Sequence, residues 1–144
     1  MGVALQPDAF RREGANSIER VDVDRPLRSV AAAFRDRANA CLNTTTVIQG
    51  GANVRYTMDK RTYTAKVIAT DARAELHVLV RFWGLTLHEQ GKDGAYILLA
   101  DATPLDARRT QLEIRYVGLV TEPLRSAVKG WASGSFSGCP DLTR

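Results

Sequence analysis

The sequence predicts one α+β domain of element order β-α-β5-α, an antiparallel meander sheet with two helices packed on one face. Three observations predict it. Apolar residues recur at spacings of three and four from Leu27 to Leu42, alternate at spacing two from Val54 to Tyr116, and return to three and four from Leu124 to Trp131. The alternating stretch is broken only by short connections, so consecutive strands are expected to run antiparallel as neighbours. An antiparallel sheet tolerates one solvated face, which leaves the other for both helices.

Taken in order, residues 1–15 carry Pro7, Gly14 and Arg11-Arg12 without a period. They read as a flexible leader ahead of a domain spanning 16–144. Ser17 to Val23 is a short strand whose apolar residues, Ile18, Val21 and Val23, switch parity, as at a bulge or an edge. Asp24 suits an N-cap and Pro26 the first helical turn. The stripe Leu27, Val30, Ala31, Phe34, Ala38, Cys41 and Leu42 then defines the first helix, ended by Asn43 and the Thr44-Thr45-Thr46 run.

Val54 and Tyr56 open the alternation, and Met58-Asp59-Lys60-Arg61 reads as a hairpin connection. Tyr63, Ala65 and Val67 continue it up to a turn at Asp71-Ala72. Ala74, Leu76, Val78, Val80 and Phe82 then point one way, while Arg73, Glu75, His77 and Arg81 point the other. A polar loop covers 87–94. Ala95 to Ala100 is apolar on both parities, so that strand is expected to be central and covered on both faces. Asp101 to Arg109 turns, and Leu112, Ile114 and Tyr116 form the last strand. Thr121 caps the second helix, with Pro123 in its first turn and Leu124, Ala127, Val128 and Trp131 as its stripe. Gly134 is a natural stop, and Ser135 to Pro140 is loop chemistry.

The 144 residues are 44% hydrophobic and 25% charged, a composition that argues against wholesale disorder. No stretch approaches the roughly 18 to 20 apolar residues of a membrane span. Met1 to Leu5 lacks the basic flank and long apolar core of a signal peptide. Two readings follow: a cytosolic protein, or one whose signal has been removed. The two cysteines bear on the choice without closing it. In an oxidising compartment they would close a long loop and contribute about 4 to 5 kcal/mol; otherwise they are reduced, partly buried thiols.

Little else in the chain suggests chemistry. His77 and His88 are the only histidines, and neither has a cysteine or carboxylate at metal-ligand spacing, so no metal or other cofactor is expected. His77 falls on the polar parity of its strand and reads as solvated. A Cys–His nucleophile pair is less economical than a disulfide, because Cys41 lies on an apolar stripe and Cys139 in a tail. The pairs Asp22 with Asp24 and Asp101 with Asp106 show nothing of the split pKa values that acid–base work needs. Gly50-Gly51 leads into a strand, not a helix, so it is no phosphate cradle. The net charge of +4 is modest, and Asp24, Asp36, Glu75 and Glu113 interleave with Arg25, Arg28, Arg35, Arg73 and Arg81. That pattern fits a mixed solvated face better than a nucleic-acid surface. No catalytic residue is assigned, and no enzyme is expected.

The run Lys129-Gly130-Trp131-Ala132-Ser133-Gly134 with Gly138-Cys139-Pro140 resembles a family of small bacterial envelope proteins, often lipoproteins. Ala40-Cys41-Leu42 and Tyr96 with Ala100-Asp101 fit the same family. The resemblance spans roughly 17 to 143. It implies export to the periplasm and a Cys41–Cys139 disulfide, leaves outer-membrane anchorage through a lipid open, and brings no active site. This chain departs from a lipoprotein in lacking a lipobox cysteine. The element order is also similar to helix-grip domains. The expectation is therefore a non-enzymatic, monomeric envelope protein acting as a structural or protein-interaction module. The alternative is a binder of a small apolar ligand, held between sheet and helices in a cavity lined by Leu76, Val78, Val80, Leu98, Leu112, Ile114 and Trp131.

Overall fold

Alternation of β-branched and apolar residues with polar ones favours pleated, half-buried strands, and strands dominate the molecule. A computed structural model describes residues 6–49, 58–82, 93–118 and 122–142. The strands are β1 (Ser17–Val23), β2 (Thr44–Gln49), β3 (Met58–Ala69), β4 (Ala74–Phe82), β5 (Ala95–Pro104) and β6 (Thr110–Tyr116). They form one antiparallel sheet in the order β1-β6-β5-β4-β3-β2. Helices α1 (Leu27–Cys41) and α2 (Glu122–Ser133) pack on one face of it and against each other. The expected β-α-β5-α order is therefore present, in a helix-grip-like arrangement. β1 is an edge, as its parity switch suggested.

The core lies between the helices and the inner sheet face. Val30, Ala31, Phe34 and Cys41 of α1 and Leu124, Val128 and Trp131 of α2 meet Leu76, Val78, Leu98, Ala100, Leu112 and Ile114. At α1's end, the Asn43 side chain accepts from the Ala65 amide at 3.0 Å, tying the helix terminus to β3. Register across the sheet slips once, between Val78 and Leu79: Val78 faces Leu98, but Leu79 faces Tyr96. Ile97 is the extra residue of this β-bulge. The bulge turns Tyr96 to the outer face, which Leu99 and Asp101 already share by alternation, while Leu98 and Ala100 stay in the core.

Several local expectations are corrected. Thr44 to Thr46 begins β2 instead of ending a helix in loop, because β-branched threonines fit a pleated strand. Met58 to Arg61 is part of β3, paired with β2 from Gln49↔Met58 onward, and is no hairpin connection. Asp24 caps nothing: Pro26 occupies the N-cap position of α1, without a side-chain cap. Asp101 lies inside β5, which runs on to Pro104. The residues read as a leader are helical from Pro7 to Ala9 and π-helical from Phe10 to Gly14, with Phe10 only 2% exposed. Val54, Tyr56, His88 and Thr121 lie outside the described residues.

Candidate functional site

The chain after α2 is built around two glycines. Gly134 ends the helix at φ 82°, a left-handed conformation that a side chain resists. Gly130 sits mid-helix, where a Cβ would fall 2.5 Å from Cβ of Phe136. Its missing side chain lets the tail fold back, and the Phe136 amide donates to the Gly130 carbonyl at 3.2 Å. The Trp131 indole N–H donates to the Gly138 carbonyl at 2.9 Å, and Arg37 of α1 donates to the Ser137 carbonyl at 2.6 Å. Arg25 donates to the carbonyls of Trp131 and Ala132, satisfying the end of α2. The tail is then fixed by a Cys41–Cys139 disulfide, with a Cα separation of 5.3 Å and a sequence separation of 98.

This folded-back tail forms one wall of an open groove of about 620 Å³. The second wall is α2, through Ser126, Ala127, Lys129, Gly130 and Ser133; the third is the outer half of β1, through Val21, Asp22 and Val23. Phe136, Cys139 and Pro140 line the tail side. Glu19 of β1 bridges to α2, accepting from Lys129 at 2.7 Å and Arg125 at 3.3 Å. The Lys129 bond holds the Glu19 carboxyl below its ordinary pKa, against the opposing effect of burial. Arg125 also stacks 4.3 Å from the Tyr116 ring centre. The groove is framed by these contacts, and it opens on a strand edge that, among the described residues, pairs with β6 alone.

The outer sheet face holds a second cluster. Strand register places Glu113, Asp101 and Glu75 side by side on β6, β5 and β4. Like charges directly opposite each other repel, so the row needs cations. The N-terminal helical segment supplies the central one: Arg11 donates to both oxygens of Asp101 at 2.9 Å and to Glu75 at 2.5 Å. Arg73 adds a contact to Asp101 at 2.9 Å and Arg115 one at 3.4 Å. Burial opposes ionisation of Asp101 and Glu75, but these bonds outweigh it and hold both carboxyls below their ordinary values. The Asp101 bond, then the Glu75 bond, keeps Arg11 firmly charged. Beside the row, Phe10 packs against Tyr96, and His77 meets the Tyr96 edge and bonds Glu75 at 2.8 Å.

Sequence reasoning placed His77 in solvent, but it is 3% exposed under the N-terminal segment. Its polar parity was read correctly; the covering element was not. Asp101 and Asp106 are not brought together: Asp106 instead accepts from Arg108 and Arg109 in the β5–β6 turn. The seven residues proposed to line an internal cavity are all in the core cluster, each no more than 1% exposed. They pack against one another and the helices, and none of them lines the groove. Among the described residues, no group of three or more His, Cys, Asp or Glu is arranged to hold a metal ion. The groove itself was missed. Gly130 inside an otherwise regular helix was its one signal in the sequence, since glycine there weakens a helix without a packing reason.

Fold and site together define a helix-grip-like α+β domain with an edge groove walled by a disulfide-fixed tail. No protein-family model matches the chain. No curated protein matches it either. Among solved structures, it is similar to the Zhui aromatase/cyclase from Streptomyces sp. R1128, at 16% identity and a TM-score of 0.35 over 73% of this chain and 68% of that one. A likeness of that degree carries no argument about activity.

Proposed function

We propose that the chain is a non-enzymatic protein-interaction module of the bacterial envelope, which receives a segment of a protein partner in the groove between β1, α2 and the tail. The observation that carries this reading is the groove itself: it is open, largely apolar and backed by a strand edge that is unpaired among the described residues. An added strand can pair with such an edge while its side chains enter a neighbouring pocket. The disulfide supports an oxidising compartment such as the periplasm. Against catalysis, the one described histidine is buried and engaged by Glu75, so it offers no base to a solvent-borne substrate.

A small apolar ligand is the second reading, favoured by a groove volume within the range of ligand sites. Its place would be the groove, not the filled interior. Photo-crosslinking residues at Ser126 and Ser133, with Lys66 on the outer face as control, separate the readings in envelope preparations of the native cell. A discrete protein adduct from both groove positions, absent from Lys66, is the expected result. If neither groove position gives an adduct that the control lacks, the protein-docking reading is wrong.

A further inference from the structure

We propose that the partner seated on the β1 edge is a second copy of this chain, paired antiparallel about a two-fold axis between the two Val21 residues. The inference rests on reading the groove as a protein-docking surface and deepens it by naming the occupant. It starts from the charges on β1. Edge strands commonly carry charges that discourage indiscriminate pairing, and β1 reads Glu19-Arg20-Val21-Asp22-Val23. Among the described residues the strand pairs with β6 on one side only.

In an antiparallel pair of identical strands, the two-fold axis passes between one residue and its own copy, and each neighbour faces its symmetry-related position on the other side. Centring on Glu19, Arg20 or Asp22 sets that residue against its own copy, a like-charge contact in each case. Centring on Val21 is different. Val21 then faces Val21 of the second copy, and Arg20 faces Asp22 twice. The same charges that disfavour neighbouring registers thus favour this one, which is how specificity is usually built into such contacts.

The structure bears on that centre in three ways. Arg20 and Asp22 both stand exposed on the outer face, the Arg20 side chain at 60%, so both are available for cross-copy pairing. Arg20 bonds Glu113 at 2.8 Å across the β1–β6 pair, on the side away from the free edge, so pairing with Asp22 of the second copy requires its guanidinium to swing across the strand or to be shared between the two carboxylates. The groove's β1 residues are Val21, Asp22 and Val23, three of the five residues, Glu19 to Val23, that a Val21-centred pairing spans within β1. The inward-facing Val21 of the second copy would enter the space beside Val21 and Ala127. Isologous contact of this kind closes as a dimer and does not propagate.

The test uses the full chain and its charges. Analytical ultracentrifugation of the wild type should show a concentration-dependent monomer–dimer equilibrium. Arg20→Asp sets Asp against Asp22, and Asp22→Arg sets Arg20 against Arg; each alone should weaken the dimer about tenfold or more. An equimolar mixture of the two single variants restores both pairs and should associate as the wild type does, as should the R20D/D22R double variant alone. Because Arg20→Asp also removes the Glu113 bond, Glu113→Gln serves as control and should leave the dimer intact. Circular dichroism checks that each variant is folded; should a single variant unfold, Arg20→Gln and Asp22→Asn, which remove charge without reversing it, should still weaken the dimer. A wild type that stays monomeric at all concentrations overturns the self-pairing, even where groove adducts to a different protein persist. Single variants that dimerise normally, or a mixture that fails to recover, also overturn it.

Discussion

The two faces of the sheet are buried by different means. The inner face is covered by two long helices whose stripes interdigitate with Leu76, Val78, Leu98 and Ile114, and nearly everything there is apolar. The outer face is covered, over β4 and β5, by a segment of eight residues that brings one large apolar side chain, Phe10, and one cation, Arg11. Beneath it lie Leu79, Leu99, His77 and Asp101, none more than 4% exposed. Burial of apolar area is non-directional and grows with contact surface. Burial of charge succeeds only with a partner in place. The inner face therefore tolerates repacking, whereas the outer face depends on one ionic plug.

The largest effect is expected where the helical layer is fastened. Cys139→Ala opens a loop of 98 residues, which on the chain-entropy view removes about 4 to 5 kcal/mol. Thermal unfolding followed by circular dichroism should show a drop in Tm of more than about 10 °C. Adding reductant to the wild type should reproduce it, since Cys139 is exposed to attack. A variant within a degree or two of wild type would mean that the Trp131 and Arg37 bonds fix the tail without the disulfide.

Next in size is a direct contrast of the faces. Leu98 and Leu99 are adjacent, fully buried, and on opposite sides of β5. Leu98→Ala should cost about 2 to 5 kcal/mol in urea unfolding, as core truncations do. Leu99→Ala should cost a similar amount in the full chain and markedly less once residues 1–14 are deleted, because its cover is then gone. A Leu99→Ala cost near zero in the full chain would show the N-terminal segment undocked in solution.

That contrast also explains what the sequence could show. The inner face was legible because its information is local: stripes of period 3.6 and 2 in contiguous segments identify α1, α2 and most strands. The disulfide was legible because two cysteines at the ends of those elements have few alternatives. Two features were not. His77 and Asp101 owe their burial to Arg11 and Phe10, 66 and more residues away, and nothing near a polar strand residue announces such a partner. The one local trace was Ala95 to Ala100, apolar on both parities, which correctly implied a strand covered on both faces without saying by what. The groove draws on Val21, Gly130 and Cys139, and long-range convergence of that kind has no period.

The smallest effect, and the one most specific to the outer face, is its pH dependence. Asp101 and Glu75 have folded-state pKa values below their ordinary ones, with burial opposing and the Arg11, Arg73 and His77 bonds prevailing. A carboxyl depressed in this way contributes stability that is fully present above its unfolded pKa and lost as pH falls through its folded pKa. Wild-type Tm should therefore hold from neutrality to about pH 5 and decline below it, through the ordinary carboxylate range near 4 and beyond. Arg11→Ala should cost about 2 kcal/mol at pH 7, because Asp101 loses its bidentate partner but keeps Arg73 and Arg115. In that variant both carboxyls are less depressed, so the acid decline should be shallower and the two Tm curves should converge toward pH 3. Glu19 and Glu113 are also depressed, through Lys129 and Arg20, but they titrate alike in both proteins and cancel in the difference. Curves that stay parallel would remove Arg11 as the source of the acid sensitivity and leave it only a packing role over Leu99.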